Sequence, residues 1–339
     1  MPEPPLSSAA ARSIRRAVAY PLWLLFPALA IPFAAGLDLT GRLGWLQYIP
    51  FAASLLLFGL PHGAADHLVP GRLTGRGASA NSVAAVVLLY LGLGGTYLAL
   101  WTVAPTACFV LFIALTWFHW GQGDVYASRT FLGVGRSPAG LGVLVRGGLP
   151  MLIPLLAFPR EYAALGESLI ALFGHPLPAP SAIFHPLALA VCGLVFLALA
   201  TVYLVRVLQR NGALSCAVEA WEVTVLGLYF VFVPPVLAIG IYFCLWHSTR
   251  HIFRLALLDG PSAAALDSGR ILPALVRFAT DAAPLTLVAL VFLAGLYRYL
   301  PSATPYELLA GYLVFVSALT LPHVVLVSWM DARQELWRK

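Results

Sequence analysis

The stretch WHSTRHIFR, residues 246–254, puts His247 and His251 four residues apart in a long apolar run, with Arg250 between them. Residues i and i+4 of a helix share a face, so both imidazoles can point at one centre. His62 and Asp66 have the same spacing in GLPHGAADHLV (59–69), which also holds His67. His62 and His67 are five apart and splay on a regular helix; both reach one ion only if the helix breaks, at Gly63 or at its end. His119 and Asp124 stand in TWFHWGQGD (116–124), and His323 in LPHVVLV (321–327). Imidazole is the commonest metal ligand and suits iron, zinc, copper and nickel. A ligating histidine hands its second N–H to a carboxylate or carbonyl, and Asp66 and Asp124 are the carboxylates available. His247 and His251 read as half of a metal site.

Each residue has a plainer reading beside this one. A single histidine at a helix end serves as an interfacial anchor. Asp66 and Asp124 can cap helix ends or face water. Arg250 and Arg254 can lay their stems along apolar surface and keep their heads among the lipid headgroups, Arg254 being the better placed. Arg146 lies too deep for that and is expected to pair, a backbone carbonyl being one choice. His175 and His185, each followed by proline, read as loop residues without a metal role.

The elements that must position these side chains are apolar. Of 339 residues 60% are hydrophobic and only 10% charged, against roughly 25% charged in soluble domains. A soluble fold is excluded, and the dispersed arginines behind the net charge of +6 do not suggest nucleic acid. Cys108, Cys192, Cys216 and Cys244 stand singly, so neither a disulfide framework nor a thiolate metal site is expected. A helical span takes roughly 20 apolar residues. Runs of that kind fall at 18–37, 44–63, 81–103, 105–121, 140–158, 183–205, 217–235, 237–256, 279–299 and 306–330. The expected fold is all-α: one polytopic bundle over 1–339 with about ten transmembrane helices. Residues 1–15 are expected to be disordered and 159–182 to form an external loop. The first run has the length of a span, which argues against a cleaved leader.

Arginine and lysine orient the bundle. With the N-terminus cytoplasmic, 15 basic residues fall inside and only Arg42, Arg160 and Arg298 outside, as the positive-inside rule requires. Both termini are then cytoplasmic, in a cell membrane. The same topology brings His62, His67, His119, His247, His251 and His323 to the cytoplasmic half of the even helices. Ionisable groups in spans usually face the bundle interior, so these can converge on one pocket.

The chemistry narrows from there. His247-Ser248-Thr249-Arg250-His251 lacks the general-base glutamate of a zinc protease. A two-iron desaturase needs more histidines and an H-x-x-H-H box, which the chain does not contain. A single ion fits the supply, and imidazole-bound divalent iron with open positions would suit oxidation of a lipophilic alkene. Two other classes stay open: a transporter or permease using the histidines as a transit site, and a haem-binding subunit using two of them as axial ligands.

The four histidine motifs, in this order, resemble those of the Brp/Blh family of integral-membrane microbial β-carotene 15,15'-dioxygenases, over nearly the whole chain. The resemblance implies a non-haem Fe(2+) enzyme that splits the central double bond of β-carotene with O2 into two retinal molecules. It needs no reductase and has a functional link to a microbial rhodopsin. It implies His62, His119, His247 and His251 as iron ligands. His67 and His323 match further family histidines, set around the ligands together with Asp66 and Asp124. Trp117, Phe118, Trp120, Tyr242, Phe243 and Trp246 are the aromatic candidates for a substrate tunnel, since ligand pockets are mostly apolar and aromatic.

Overall fold

The computed structural model describes residues 7–37, 39–75, 77–135, 137–174, 185–298 and 304–337, and every regular element among them is helical. The helices are α1 (Ser8–Ala34), α2 (Gly41–Leu73), α3 (Ala80–Trp101), α4 (Pro105–Thr130), α5 (Ala139–Ala157) and α6 (Pro159–Ala171). They continue as α7 (Pro186–Phe232), α8 (235–257), α9 (Gly260–Asp267), α10 (Ile271–Tyr297) and α11 (Pro305–Arg333). In lipid the backbone has no water to bond, and a helix satisfies its N–H and C=O groups internally.

Local sequence sets the starts and breaks. Five helices open on proline, at Pro105, Pro159, Pro186, Pro235 and Pro305. Its fixed φ suits the first turn, where its missing N–H leaves nothing unpaired. Ser79 with Ser82, and Thr304 with Glu307, close capping boxes on α3 and α11. α7 turns back at Gly212, whose φ of 82° is left-handed, a conformation cheap only for glycine. Tyr203 before that turn bonds Glu219 after it.

Among the described residues, seven helices are long and apolar enough to cross a membrane: α1, α2, α3, α5, α7, α10 and α11. This differs from the ten runs in the sequence for a physical reason. The sixth and seventh runs are the two arms of α7, while α4 and α8 are made more polar by the side chains described below. Two further expectations change. Ser8–Ile14 is helical, where 1–15 was expected to be disordered. Pro159–Ala171 is also helical within the expected external loop 159–182. His175 and the rest of that stretch to 184 lie outside the described residues.

The main core gathers α1, α4, α5, α7 and α8 around Phe26, Tyr229, Phe230, Tyr242 and Trp246. Phe26 lies with its ring centroid 4.5 Å from Tyr229 and 5.1 Å from Trp246. Helices α4 and α5 touch backbone to backbone. A Cβ on Gly121 would overlap Val143, and one on Gly147 would overlap the Trp117 carbonyl. That close approach carries Arg146 into the centre of the bundle, where it is fully buried.

Candidate metal centre and cavity

Four helices deliver the histidines. α2 is interrupted at Leu57 and Phe58 and restarts at Gly59, so His62 sits in a short second helix. His119 lies mid-way along α4. α8 contains a π segment, Tyr242–His247, and an α-helix from Ser248; one-turn π segments frequently mark functional sites. His247 ends that segment and His251 follows one turn later, their rings stacked with centroids 6.4 Å apart. His323 follows Pro322 on α11.

These five rings form one buried cluster. His323 is 4.6 Å from His119 and 5.1 Å from both His62 and His251, centroid to centroid. His119 is 4.8 Å from His247, and His62 is 5.3 Å from His251. Candidate ligand atoms of His62, His119 and His323 lie within 4.8 Å of one another, as do those of Asp66, His251 and His323. Buried polar atoms are almost always paired. Here both ring nitrogens of His119 and of His251, Nε2 of His247 and of His323, and Oδ1 of Asp66 have no protein partner. So many bare donor atoms, on imidazoles and a carboxylate, fit a transition-metal ion with nitrogen-rich ligation.

Partners on the far side fix two of the rings. Asp66 Oδ2 meets His323 Nδ1 at 2.6 Å and accepts a hydrogen bond from Tyr90 O–H at 2.5 Å. An N–H on Nδ1 leaves His323 Nε2 as the bare atom facing the other rings. His62 Nδ1 lies 3.2 Å from the Phe58 carbonyl and 3.3 Å from Ser248 Oγ.

The structure sorts the sequence candidates. His62, His119, His247 and His251 come together. His323, expected around the ligands, stands among them. Asp66 serves a histidine as expected. His67 does not join the cluster: the 3-10 turn Ala65–Leu68 turns it away, and its Nδ1 sits 2.7 Å from the Ala64 carbonyl. Asp124, expected to orient a ligand histidine, accepts from Trp246 Nε1 at 3.0 Å and pairs with Arg250 at 3.2 Å and Arg146 at 3.5 Å. His185 caps α7, accepting from the Leu187 N–H.

The arginines are corrected as well. Arg254 is buried and bonds Asp331 at 2.6 Å instead of reaching for headgroups. Arg250 pairs with Glu222 at 2.5 Å, over the Trp246 ring. Arg146 meets carboxylates, not a carbonyl: Glu219 at 2.7 Å and Glu222 at 2.9 Å. Trp23 and Tyr203 complete this network through Glu222 and Glu219, and Ser128 also bonds Glu219. A second network runs from Gln122 on α4 through Asp331 on α11 to Arg254 on α8. Glu219, Glu222, Gln122, Tyr90 and Asp331 are absent from the sequence reading. For the two glutamates the signal was there: carboxylates one turn apart in a span are rare, and where they occur they are paired.

Beside the histidines lies an apolar cavity of about 370 Å³. His62, His119, His247 and His323 form part of its wall, and it extends past Phe109 and Ile113 of α4 to Leu165 and Leu169 of α6. Of the six expected tunnel aromatics, Trp120 and Phe243 line it. Trp246 and Tyr242 are instead buried in the core, Trp117 donates to the Leu144 carbonyl, and Phe118 is exposed on the outside of the bundle.

The comparisons with known proteins fall on this site. A family model described as β-carotene 15,15'-dioxygenase matches residues 53–331, a range that contains all five histidines. The chain is 39% identical to "Probable beta-carotene 15,15'-dioxygenase Blh" of Halobacterium salinarum, covering 97% of this chain and 96% of that protein. It is 30% identical to "Probable beta-carotene 15,15'-dioxygenase Brp" of the same organism, over 93% of this chain and 91% of that one. A "Beta-carotene 15,15'-dioxygenase" from an uncultured marine bacterium is 25% identical over 82% of this chain and 92% of its own length. No solved structure matches.

Proposed function

The chain belongs to the Brp/Blh family of β-carotene 15,15'-dioxygenases, and from that premise we propose that it cleaves the central double bond of β-carotene with O2, giving two molecules of retinal. The observation that carries this reading is the juxtaposition of five buried imidazoles, four of them with bare ring nitrogens, and an apolar cavity at their side. Neither a transit site nor an axial haem pair calls for five clustered rings beside a hydrocarbon-sized pocket.

His62, His119, His247 and His251 would hold Fe(2+), with His323 as a fifth candidate by position. Iron there supplies the activation of O2. The protein's own part is positional. Asp66, itself held by Tyr90, accepts a hydrogen bond from the Nδ1–H of His323 and so keeps the bare Nε2 for the cluster. Ser248 and the Phe58 carbonyl hold the ring of His62. The apolar wall excludes water and aligns a polyene, and Phe243 and Trp120 stack beside it with centroids 6.1 Å apart. One alkene and one O2 become two aldehydes with no proton or electron left over. The cavity accordingly needs no acid, no base and no docking face for a reductase.

We also infer about ten membrane crossings: the seven apolar helices with α7 counted as two arms, plus α4 and α8. Both termini are then cytoplasmic in a cell membrane, and the retinal would serve a microbial rhodopsin. Expression in cells that accumulate β-carotene tests the activity. Bleaching with release of retinal is expected, together with iron in the purified protein that is lost from His119→Ala and His251→Ala. Unchanged carotenoid beside well-folded protein refutes the reading.

A further inference from the structure

The cavity is not sealed. Several residues of its wall are also on the outer surface of the bundle: Leu91 (61% exposed) and Leu98 (39%) on α3, and Val288 (48%) and Phe292 (64%) on α10. The cavity is partly open to the outside, and these exposed side chains on both helices place the opening between α3 and α10. Between Leu91 and Leu98 stands Gly95, and a Cβ built on it meets nothing within 4 Å. Its neighbour Gly94 differs: a Cβ there comes within 2.9 Å of the Ala318 carbonyl of α11. α3 is thus pressed against α11 at one glycine and stands clear at the next.

We propose that this gap between α3 and α10 is the doorway through which the polyene passes sideways from the bilayer to the histidines, and that Gly95 keeps it clear. The doorway is hydrocarbon on both sides, facing the hydrocarbon of the membrane. A β-carotene molecule dissolved among acyl chains reaches His62 and His323 without meeting water. A polar substrate would gain nothing there, because the described side chains at the gap, Leu91, Leu98, Val288 and Phe292, are apolar and do not replace its hydration. Glycine inside a helix is less stable than alanine, and at Gly95 no packing neighbour compensates for that.

This rests on the carotenoid reading above, so the experiment separates the two. Gly95→Trp and Ala289→Trp narrow the gap from either side; Leu24→Trp on the lipid face of α1, 74% exposed, is the control. Purified protein is reconstituted in phosphatidylcholine vesicles carrying graded β-carotene. Carotenoid retained by the re-isolated protein, retinal formed, bound metal and the thermal midpoint are measured. Both doorway variants should keep metal and midpoint while β-carotene retention and the initial rate at low carotenoid fraction fall at least tenfold; Leu24→Trp should match the wild type. A wild type that retains β-carotene without cleaving it overturns the activity and leaves the doorway testable by retention alone. Doorway variants that retain and cleave within twofold of the wild type overturn the doorway. So does a wild type that retains no carotenoid, the gap then housing acyl chains only.

Discussion

Asp66→Asn is the sharpest probe of how the chain prepares the candidate metal site. The carboxylate takes two hydrogen bonds on one oxygen, from Tyr90 at 2.5 Å and His323 Nδ1 at 2.6 Å. Asparagine keeps the shape, and its carbonyl oxygen can stand where Oδ2 does, but without the charge it holds both donors more weakly. The His323 proton is then free to move to Nε2, which removes the bare nitrogen that faces the cluster. Hydrogen bonds to charged groups contribute about 1.5–3 kcal/mol. Mutation of groups that support a metal ligand typically weakens metal binding about 10–100-fold, or about 1.4–2.8 kcal/mol. The two scales agree, so Asp66→Asn should bind Fe(2+) or Co(2+) at least tenfold more weakly by equilibrium dialysis of detergent-purified protein. Tyr90→Phe removes one of the two bonds and should fall between Asp66→Asn and the wild type. An Asp66→Asn protein that is folded and binds metal within twofold of the wild type would refute the triad Tyr90–Asp66–His323.

Three further outcomes follow from the same geometry. Arg146→Met strands Glu219 without a cation, while Glu222 keeps Arg250; breaking a buried pair in this way costs about 3–5 kcal/mol, so a thermal midpoint within a degree of the wild type would contradict it. Gly63 lines the cavity, and a Cβ on it comes no closer than 3.9 Å to His323 Nδ1; Gly63→Ala should leave metal content and cleavage intact, whereas Gly63→Leu should keep the metal and lose at least tenfold in retinal formation. Asp259 caps α9 at the corner after α8. Burial raises its pKa, but the bonds from Arg277 and Ser262 and the charge of Arg72 outweigh it and hold the carboxyl below its usual range. A depressed folded pKa gives stability that is present above the unfolded value of about 3.9 and is lost as pH falls through the folded one. The midpoint should therefore drop as pH falls below about 4, less steeply in Asp259→Asn, and superimposable acid profiles would count against it.

Some of the site was legible because helical spacing is geometry. His247 and His251 share a face by their four-residue interval, and they do so here. The same rule explains what was misread. Asp124 follows His119 by five residues, about 140° round the helix, so it points away from the ring cluster and toward α5 and α7. Tyr242 and Trp246 form one i, i+4 pair and Phe243 and His247 the next. Only the second pair turns to the cavity, and the apolar sequence of 235–246 does not say which would. Arg254 looked like a headgroup anchor because its partner Asp331 is 77 residues away on another helix. The central place of His323 depends on how α11 packs against α2 and α4, which no local pattern encodes. Charge position within the spans was the underused signal: Glu219, Glu222 and Asp331 each mark an arginine waiting elsewhere.

The paired networks have an arithmetic that reaches past their own stability. Among the described residues, and leaving aside Asp259 at its helix corner, the interior encloses five carboxylates, Asp66, Asp124, Glu219, Glu222 and Asp331, and three guanidiniums, Arg146, Arg250 and Arg254. With all of these ionised and the imidazoles neutral, the polypeptide by itself is two positive charges short of electroneutrality in a low-dielectric solvent. One divalent cation held by the histidine cluster would make up that shortfall. Loading of such a cation would then stabilise the fold as well as equip the site.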